Sequence, residues 1–227
     1  MTDRLVLWDI DQTLIDLHGA AREWYSQALS EVVGVTMAEM PRFFGRTERA
    51  ITSEVLAAHG IEPVEELIQR VWVALVAASE RALPTLRQQG LALPGAANAL
   101  SSLTSYEGVV QSLVTGNLRE IAWHKLWAFE LHTYLDFEIG GYGSLSAHRP
   151  DLVAHAIEQA SARHGKPDSV IVIGDTPHDI DAALAHGAVA VGVATGRFDA
   201  RTLRTAGAHT VLPDLSDTPA VLDAVFG

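Results

Sequence analysis

Two acidic residues follow the first apolar segment of the chain. Leu5-Val6-Leu7-Trp8 runs directly into the motif Asp9-Ile10-Asp11-Gln12-Thr13. Side chains two residues apart on an extended chain point the same way, so the carboxylates of Asp9 and Asp11 start close together. Carboxylates that close repel each other unless they share a proton or a cation. A surface turn with two solvated acids is the alternative, but the buried strand that the apolar segment predicts favours a functional pair.

A second acidic motif, Gly174-Asp175-Thr176-Pro177-His178-Asp179, follows another apolar segment, residues 170–173. Helix capping explains part of it, because Thr176 suits an N-cap and Pro177 the first helical position. Asp179 fits the third position of a capping box and could also face a site. Capping does not explain Asp175, which makes it the stronger candidate for chemistry.

The acids of both motifs are expected at the carboxyl ends of parallel strands, where ligands bind in such sheets. Asp9, Asp11, Asp175 and Asp179 would then converge, and a hard divalent cation would neutralise them. Mg²⁺ prefers carboxylates, waters and phosphate oxygens, so we predict a Mg²⁺ site. The chain has no Cys, and its ten His residues form no zinc motif, which argues against zinc.

Two further sites could bind an anion. Ser112-Leu113-Val114-Thr115-Gly116-Asn117 ends a strand in a small hydroxyl, a Gly and a helix N-terminus. An ordinary turn with Asn117 as N-cap is the alternative. Arg149 opens a helix and is the best-placed cation for the acids, whereas Lys125 lies late in a helix and Lys166 in a loop. A solvated surface Arg is the alternative there.

Strands alternating with helices predict an α/β fold with a doubly wound, Rossmann-like parallel sheet. Four continuous apolar segments are predicted strands, at residues 5–8, 109–114, 169–173 and 189–193. Residues 16–91 show helical spacing and no convincing strand, so we predict an all-helical insertion. The expected division is an α/β core of residues 1–15 and 92–227, with the insertion (residues 16–91) as a lid over the site.

Composition narrows the class of protein. The chain has 227 residues and a formal net charge of −12, which argues against nucleic acid or an anionic membrane as partner. The absence of Cys excludes disulfides and Cys nucleophiles. No signal peptide is recognised at the start, and the apolar runs are too short to span a membrane, so a cytoplasmic location is expected. The oligomeric state is not indicated.

Taken in order, these motifs resemble those of the haloacid dehalogenase-like (HAD) superfamily. The shared features are D-x-D-x-T after the first strand, a strand ending in Thr, a basic residue opening a helix, and G-D-x-x-x-D. The long insertion resembles the family's C1-type cap, as in the phosphoglycolate phosphatase-like group. Arg149 stands where Lys is commoner, and Gln12 where Gly is commonest.

The resemblance implies a phosphatase that acts on a small phosphorylated metabolite. Asp9 would be the nucleophile and form an aspartyl-phosphate, and Asp11 would act as general acid and then base. Thr115, with Gly116 and Asn117, would bind the phosphoryl group, and Arg149 would stabilise it. Asp175, Asp9 and the backbone carbonyl of Asp11 would hold Mg²⁺, with Asp179 supporting through water.

Within the superfamily, Asp11 argues against dehalogenation, and the absence of Lys from residues 16–91 argues against phosphonate cleavage. A phosphomutase stays open, because it uses the same motifs. Three alternatives lie outside the superfamily. The long insertion argues against a receiver domain, and the absence of a P-loop motif argues against a nucleotide-binding enzyme. The intact acidic residues argue against a non-catalytic scaffold. Arg46, in the loop Phe43–Thr47, is the candidate for contacting the rest of the substrate, although the loop could be a simple turn with Thr47 as N-cap.

Overall fold

A parallel β-sheet forms the centre of the protein in the computed structural model, which describes residues 3–17, 19–37, 41 and 43–227. The strands of the described residues are β1 (Arg4–Trp8), β2 (Ile15–Leu17), β3 (Gly90–Ala92), β4 (Val109–Thr115), β5 (Gly141–Tyr142), β6 (Ser169–Gly174), β7 (Val189–Val193) and β8 (Thr210–Leu212). Six of them make the central sheet, in the order β5-β4-β1-β6-β7-β8, and every neighbouring pair is parallel. This confirms the predicted α/β fold.

Helices cover both faces of the sheet, which is why its inner strands are continuous apolar runs. The helices of the described residues are α1 (Ala20–Val33), α2 (Glu48–Ala58), α3 (Glu65–Gln89), α4 (Ala96–Thr104), α5 (Arg119–Ala128), α6 (Arg149–His164), α7 (Pro177–Leu184), α8 (Ala200–Thr205) and α9 (Thr218–Phe226). Val6 and Trp8 pack on one face against α4, α5 and α9, while Leu5 and Leu7 pack on the other against α6, α7 and α8.

The first three helices have a hydrophobic cluster of their own. Trp24 and Leu29 of α1, together with Val71 and Leu75 of α3, lie in this cluster, and residues of α5 such as Ile121 extend it onto the core. The insertion is therefore a packed helical unit that rests on α5. None of the helices in the described ranges is long and apolar enough to cross a membrane.

Three short pairings were not predicted. Residues 16–91 were expected to hold no strand, but β2 and β3 form an antiparallel ribbon where the chain enters and leaves the insertion. Each strand of the ribbon has only three residues, too few for an alternating pattern. The edge strands β5 and β8 have two and three residues, and the sequence did not predict them for the same reason.

Candidate active site

The predicted functional residues meet at the carboxyl ends of three adjacent strands. Asp9 follows β1, Thr115 ends β4 and Asp175 follows β6, and β1 lies between the other two in the sheet. They line one cavity of about 630 Å³, which the insertion shares through Arg46 and Glu48. The topology therefore explains why motifs up to 166 residues apart come together.

Three buried carboxylates form what we call the acid cluster: Asp9, Asp175 and Asp179. One oxygen atom from each lies within 4.8 Å of the others. Both carboxylate oxygens of Asp175 are buried and accept no hydrogen bond from the described residues. Burial and the charges of Asp9 and Asp179 raise the pKa of Asp175 to about 9. A buried, donor-free carboxylate beside two others has the oxygen ligands that a hard divalent cation takes, so the residues present fit Mg²⁺.

Arg149 is the cation of the acid cluster. Its Nη2 donates to Asp9 Oδ1 at 2.7 Å and lies 2.6 Å from Asp179 Oδ1. Burial alone would lower the pKa of Arg149, but the carboxylates of Asp179 and Asp9 outweigh it and raise that pKa. Burial is also the largest cause that raises the pKa of Asp9 to about 7, against the lowering effect of Arg149. Arg149 is 5% exposed and is therefore not a solvated surface residue.

Asp179 has two structural tasks. Its Oδ2 accepts from the backbone N–H of Thr176 at 3.0 Å, and Thr176 Oγ1 accepts from the backbone N–H of Asp179 at 3.4 Å. This is the capping box of α7 that the sequence predicted. The other carboxylate oxygen faces Arg149, so capping and membership of the acid cluster do not compete.

The carboxylate of Asp11 lies apart from the acid cluster. Lys125 Nζ donates to both of its oxygens at 2.7 Å, and Asn117 Nδ2 donates to Oδ2 at 2.8 Å. The side chain of Asp11 is therefore occupied by two donors and is not among the three clustered carboxylates. A role for Asp11 in holding a metal rests on its backbone carbonyl alone.

Asn117 joins the turn after β4 to Asp11. Its Nδ2 also donates to Thr115 Oγ1 at 2.8 Å, and its Oδ1 accepts from Lys125 Nζ at 2.7 Å. The alternative that Asn117 caps the next helix is wrong, because the N-cap of α5 is Leu118 and has no side-chain cap. Thr115 is fully buried at the floor of the cavity.

The start of α2 lies directly against the core. The backbone N–H of Glu48 donates to Gly116 O at 2.8 Å, and that of Arg49 donates to Gly143 O at 2.9 Å. Arg149 Nη1 reaches the same segment and donates to Gly45 O at 3.2 Å. The segment 45–49 therefore contacts both Arg149, the cation of the acid cluster, and the turn after Thr115.

Arg46, the predicted contact residue, lines the cavity and forms an ion pair with Glu54 at 2.6 Å. Thr47 caps α2 as predicted, since its Oγ1 accepts from the backbone N–H of Ala50 at 3.3 Å. The turn and the cavity wall are thus the same segment, and one role does not exclude the other.

Lys125 and Glu48 are among the charged residues of this cavity that the sequence did not indicate as site residues; Asp16, Arg22 and Arg197 also line it. The sequence predicts Lys125 late in a helix, but the helical pattern alone does not predict its contact with Asp11. A usable pattern existed: Lys125 falls among Ile121, Ala122 and Leu126 on the buried face of α5. A Lys on such a face needs a buried partner. Glu48 has the sequence context of an ordinary acidic residue in the first turn of a helix. Nothing in the sequence therefore distinguishes it from a solvent-exposed acid.

Comparison with known proteins gives a family and a set of folds. The family described as haloacid dehalogenase-like hydrolase matches residues 6–193. A hydrolase from Pseudomonas syringae is 26% identical, with a TM-score of 0.69 and 99% of each chain covered. A haloacid dehalogenase-like protein of unknown function from Agrobacterium tumefaciens is also 26% identical, with a TM-score of 0.58 and 99% of each chain covered.

A protein from Bacteroides vulgatus assigned as a β-phosphoglucomutase is 20% identical, with a TM-score of 0.66, and the match covers 100% of this chain and 91% of that one. At 20% identity, this similarity is evidence for a shared fold and not for a shared activity. A search of curated proteins found no match. The family match spans the first strand, the insertion and the acid motif after β6, and the chain belongs to the haloacid dehalogenase-like hydrolase family.

Proposed function

We propose that this hydrolase is a Mg²⁺-dependent phosphatase that cleaves a small phosphate monoester through an aspartyl-phosphate on Asp9. The observation that carries the proposal is the arrangement at the strand ends. Asp9 lies beside Asp175, whose carboxylate has no donor among the described residues. The second acid of the motif, Asp11, is held separately by Lys125 and Asn117.

Asp9 is the proposed nucleophile that attacks phosphorus. Arg149 binds its Oδ1, and its Oδ2 has no hydrogen bond from the described residues. Attack forms the bond between the Asp9 carboxylate and phosphorus and breaks the bond to the leaving oxygen, which takes a proton from Asp11. Asp11 then accepts a proton from the water that attacks the aspartyl-phosphate, which releases inorganic phosphate and restores Asp9.

The other residues neutralise and position the phosphoryl group. Thr115, Gly116 and Asn117 would bind its oxygens, and Arg149 would offset the charge that the incoming phosphate adds. Asp9, Asp175 and Asp179, together with the backbone carbonyl of Asp11, would hold Mg²⁺. When bound, Mg²⁺ neutralises the charge of the phosphoryl oxygens and of the carboxylates around it.

The insertion, residues 16–91, is proposed to act as a cap. Its segment 45–49 contacts the core beside the acid cluster, and Arg46 would contact the part of the substrate beyond the phosphate. A phosphomutase is the second candidate, because the same residues would transfer the phosphoryl group to a hydroxyl of a second sugar phosphate instead of water. The two reactions share every step up to the aspartyl-phosphate.

Turnover of an aryl phosphate tests the proposal. We expect phosphate release that depends on Mg²⁺ and stops when a chelator is in excess. Asp9→Asn should abolish turnover while the thermal melt shows a folded protein. Full activity in excess chelator would rule out a role for Mg²⁺. Near wild-type turnover of Asp9→Asn would rule out Asp9 as the nucleophile. A mutase would release little phosphate and would instead isomerise a sugar phosphate, which phosphorus NMR distinguishes.

A further inference from the structure

A carboxyl group outside the acid cluster also faces the cavity. Glu48, the first residue of α2, lines it together with Asp11, Asn117 and Lys125. Glu48 is only 8% exposed, and the proposed phosphoryl transfer does not use its carboxyl group. An acid in the first turn of a helix complements the helix dipole, but an exposed one would do so equally well. The burial of Glu48 therefore needs another reason.

A network of hydroxyl groups fixes one side of this carboxyl. Tyr25 Oη donates to Glu48 Oε1, and Thr52 Oγ1 donates to the same oxygen at 3.3 Å. Tyr25 Oη and Thr52 Oγ1 are themselves 2.9 Å apart, and Trp72 Nε1 donates to Thr52 Oγ1 at 3.0 Å. Three helices of the insertion, α1, α2 and α3, thus hold the carboxyl in one orientation.

The second oxygen of Glu48 has no such partner. None of the described residues donates a hydrogen bond to Oε2 or forms an ion pair with it, and Lys125, whose charge acts on it, bonds Asp11 instead. Burial is the largest effect that raises the pKa of Glu48 to about 7. A donor that arrived with a ligand would favour the ionised carboxylate and complete its hydrogen bonding.

The position of Glu48 relates this free oxygen to the substrate. Its backbone N–H donates to Gly116 O at 2.8 Å, one residue past Thr115 at the proposed phosphoryl site. A phosphate bound there would direct its organic part toward the insertion, where Glu48 lies.

We propose that Glu48 Oε2 accepts a hydrogen bond from a hydroxyl or ammonium group on the organic part of the substrate. The preferred substrates are then short phosphate monoesters that carry such a donor near the phosphate, rather than purely apolar or carboxylate-bearing ones. This inference rests on the proposed function for where the phosphate binds. Glu48 is a specificity residue and takes no part in phosphoryl transfer.

A matched substrate series tests it. Propyl, hydroxyethyl and aminoethyl phosphate differ only in the terminal methyl, hydroxyl or ammonium group, and phosphoglycolate adds a carboxylate. The variant is Glu48→Gln. Because Tyr25 and Thr52 both donate to Oε1, the amide carbonyl takes that place and the NH₂ group turns to the cavity. An acceptor is thereby replaced by a donor of the same shape. Glu66→Gln, which removes an exposed acid from α3, is the control.

We expect the wild type to favour hydroxyethyl or aminoethyl phosphate over propyl phosphate by about tenfold to a hundredfold in kcat/KM, as a hydrogen bond to a charged group gives. Glu48→Gln should remove that preference and Glu66→Gln should retain it. Comparing kcat/KM for hydroxyethyl and aminoethyl phosphate shows whether Glu48 prefers a hydroxyl or an ammonium donor. No preference in the wild type, or one that persists in Glu48→Gln, overturns the proposal. So does a preference for phosphoglycolate that Glu48→Gln removes, because Glu48 would then be the donor.

Binding separates this inference from the proposed function. Calorimetry with the Asp9→Asn protein, Mg²⁺ and the same four phosphates measures the preference without turnover. If no ester is hydrolysed by the wild type but the donor-bearing esters still bind about tenfold more tightly, the phosphatase assignment fails and the role of Glu48 stands. If turnover is normal but the donor-bearing esters bind no more tightly than propyl phosphate, the role of Glu48 fails alone.

Discussion

Lys125 Nζ lies 2.7 Å from each carboxylate oxygen of Asp11. The two residues are 114 positions apart, and Lys125 is 4% exposed on α5 whereas the Asp11 side chain is 45% exposed. Asn117 binds both of them. A buried ammonium and an amide therefore hold the proposed general acid away from Asp9. Two adjacent carboxylates repel each other and raise each other's pKa. The separation of Asp11 from Asp9 reduces this repulsion between the proposed nucleophile and the proposed proton donor.

Lys125→Met should lower kcat by about a hundredfold and change KM much less, because misplacing a catalytic group by about 1 Å costs on that order. The protein should stay folded, since Asp11 is half-exposed and is not left as a buried unpaired charge. Lys166→Met, which removes the chain's other Lys from an exposed loop, is the control and should match the wild type. Steady-state kinetics on an aryl phosphate with Mg²⁺ measure the effect on kcat and KM. Unchanged turnover would show that Lys125 does not position Asp11 for catalysis.

Local patterns were enough to predict the centre of the sheet and the acids at its edge. The inner strands are apolar on both faces, so Leu5–Trp8 and Val170–Ile173 are visible without any partner. The acids follow them directly, and parallel topology alone brings Asp9 and Asp175 together. The capping box of Asp179 was equally local.

Contacts between distant elements could not be predicted in this way. Lys125 and Glu48 are ordinary helix residues in sequence, and only the packing of α5 and α2 brings them to the cavity. The ribbon of β2 and β3 is stabilised by pairing across 75 residues and has no pattern of its own. Register between remote segments is a tertiary property, so a single sequence does not reveal it.

Asp175→Asn should stabilise the metal-free protein. In the folded metal-free state, Asp175 is buried without donors beside Asp9 and Asp179, and its pKa is raised to about 9. Folding at neutral pH must therefore protonate Asp175, which costs free energy, whereas the neutral amide needs no proton. We expect Tm to rise by about 2–10 °C without metal, since ~1 kcal/mol moves Tm by ~2–4 °C at this size. Mg²⁺ should raise the Tm of the wild type and leave that of Asp175→Asn unchanged. Asp181→Asn, an exposed acid on α7, is the control. An equal Mg²⁺ shift in all three proteins would place the cation elsewhere.

Gly143 lies where three backbone segments meet. A Cβ atom there would be 1.7 Å from Gly116 O and 2.6 Å from the backbone N of Glu48. Gly143→Ala should therefore push the start of α2 away from the core and lower kcat/KM at least about tenfold. The Mg²⁺-induced rise in Tm should persist, because the acid cluster does not contact Gly143. Ser144→Ala keeps the backbone contact of Ser144 O with Arg49 and should retain activity. Wild-type turnover by Gly143→Ala would show that this contact is dispensable.

The buried carboxyl of Glu48 also makes the stability of the fold depend on pH. Burial raises its pKa from 4.5 to about 7, and the groups that face it are Tyr25 and Thr52 of the insertion, with Lys125 and Asp11 of the core. Tyr25 stays neutral, because burial raises its pKa well above 10.0. A folded pKa above the unfolded value means that Glu48 costs nothing below about pH 4.5. The fold loses stability as pH rises through about 7.

Glu48→Gln removes this dependence because its amide does not titrate. The free energy of unfolding of Glu48→Gln minus that of the wild type should therefore grow mainly between about pH 4.5 and pH 7 and level off above that. The shift from 4.5 to about 7 sets the increase at about 3 kcal/mol, since one pKa unit corresponds to about 1.4 kcal/mol. Urea unfolding across this range measures it, with Glu66→Gln as the exposed control whose difference stays flat. A difference that is constant with pH, or that shrinks as pH rises, would mean that Glu48 is ionised throughout and that its carboxylate already has a partner.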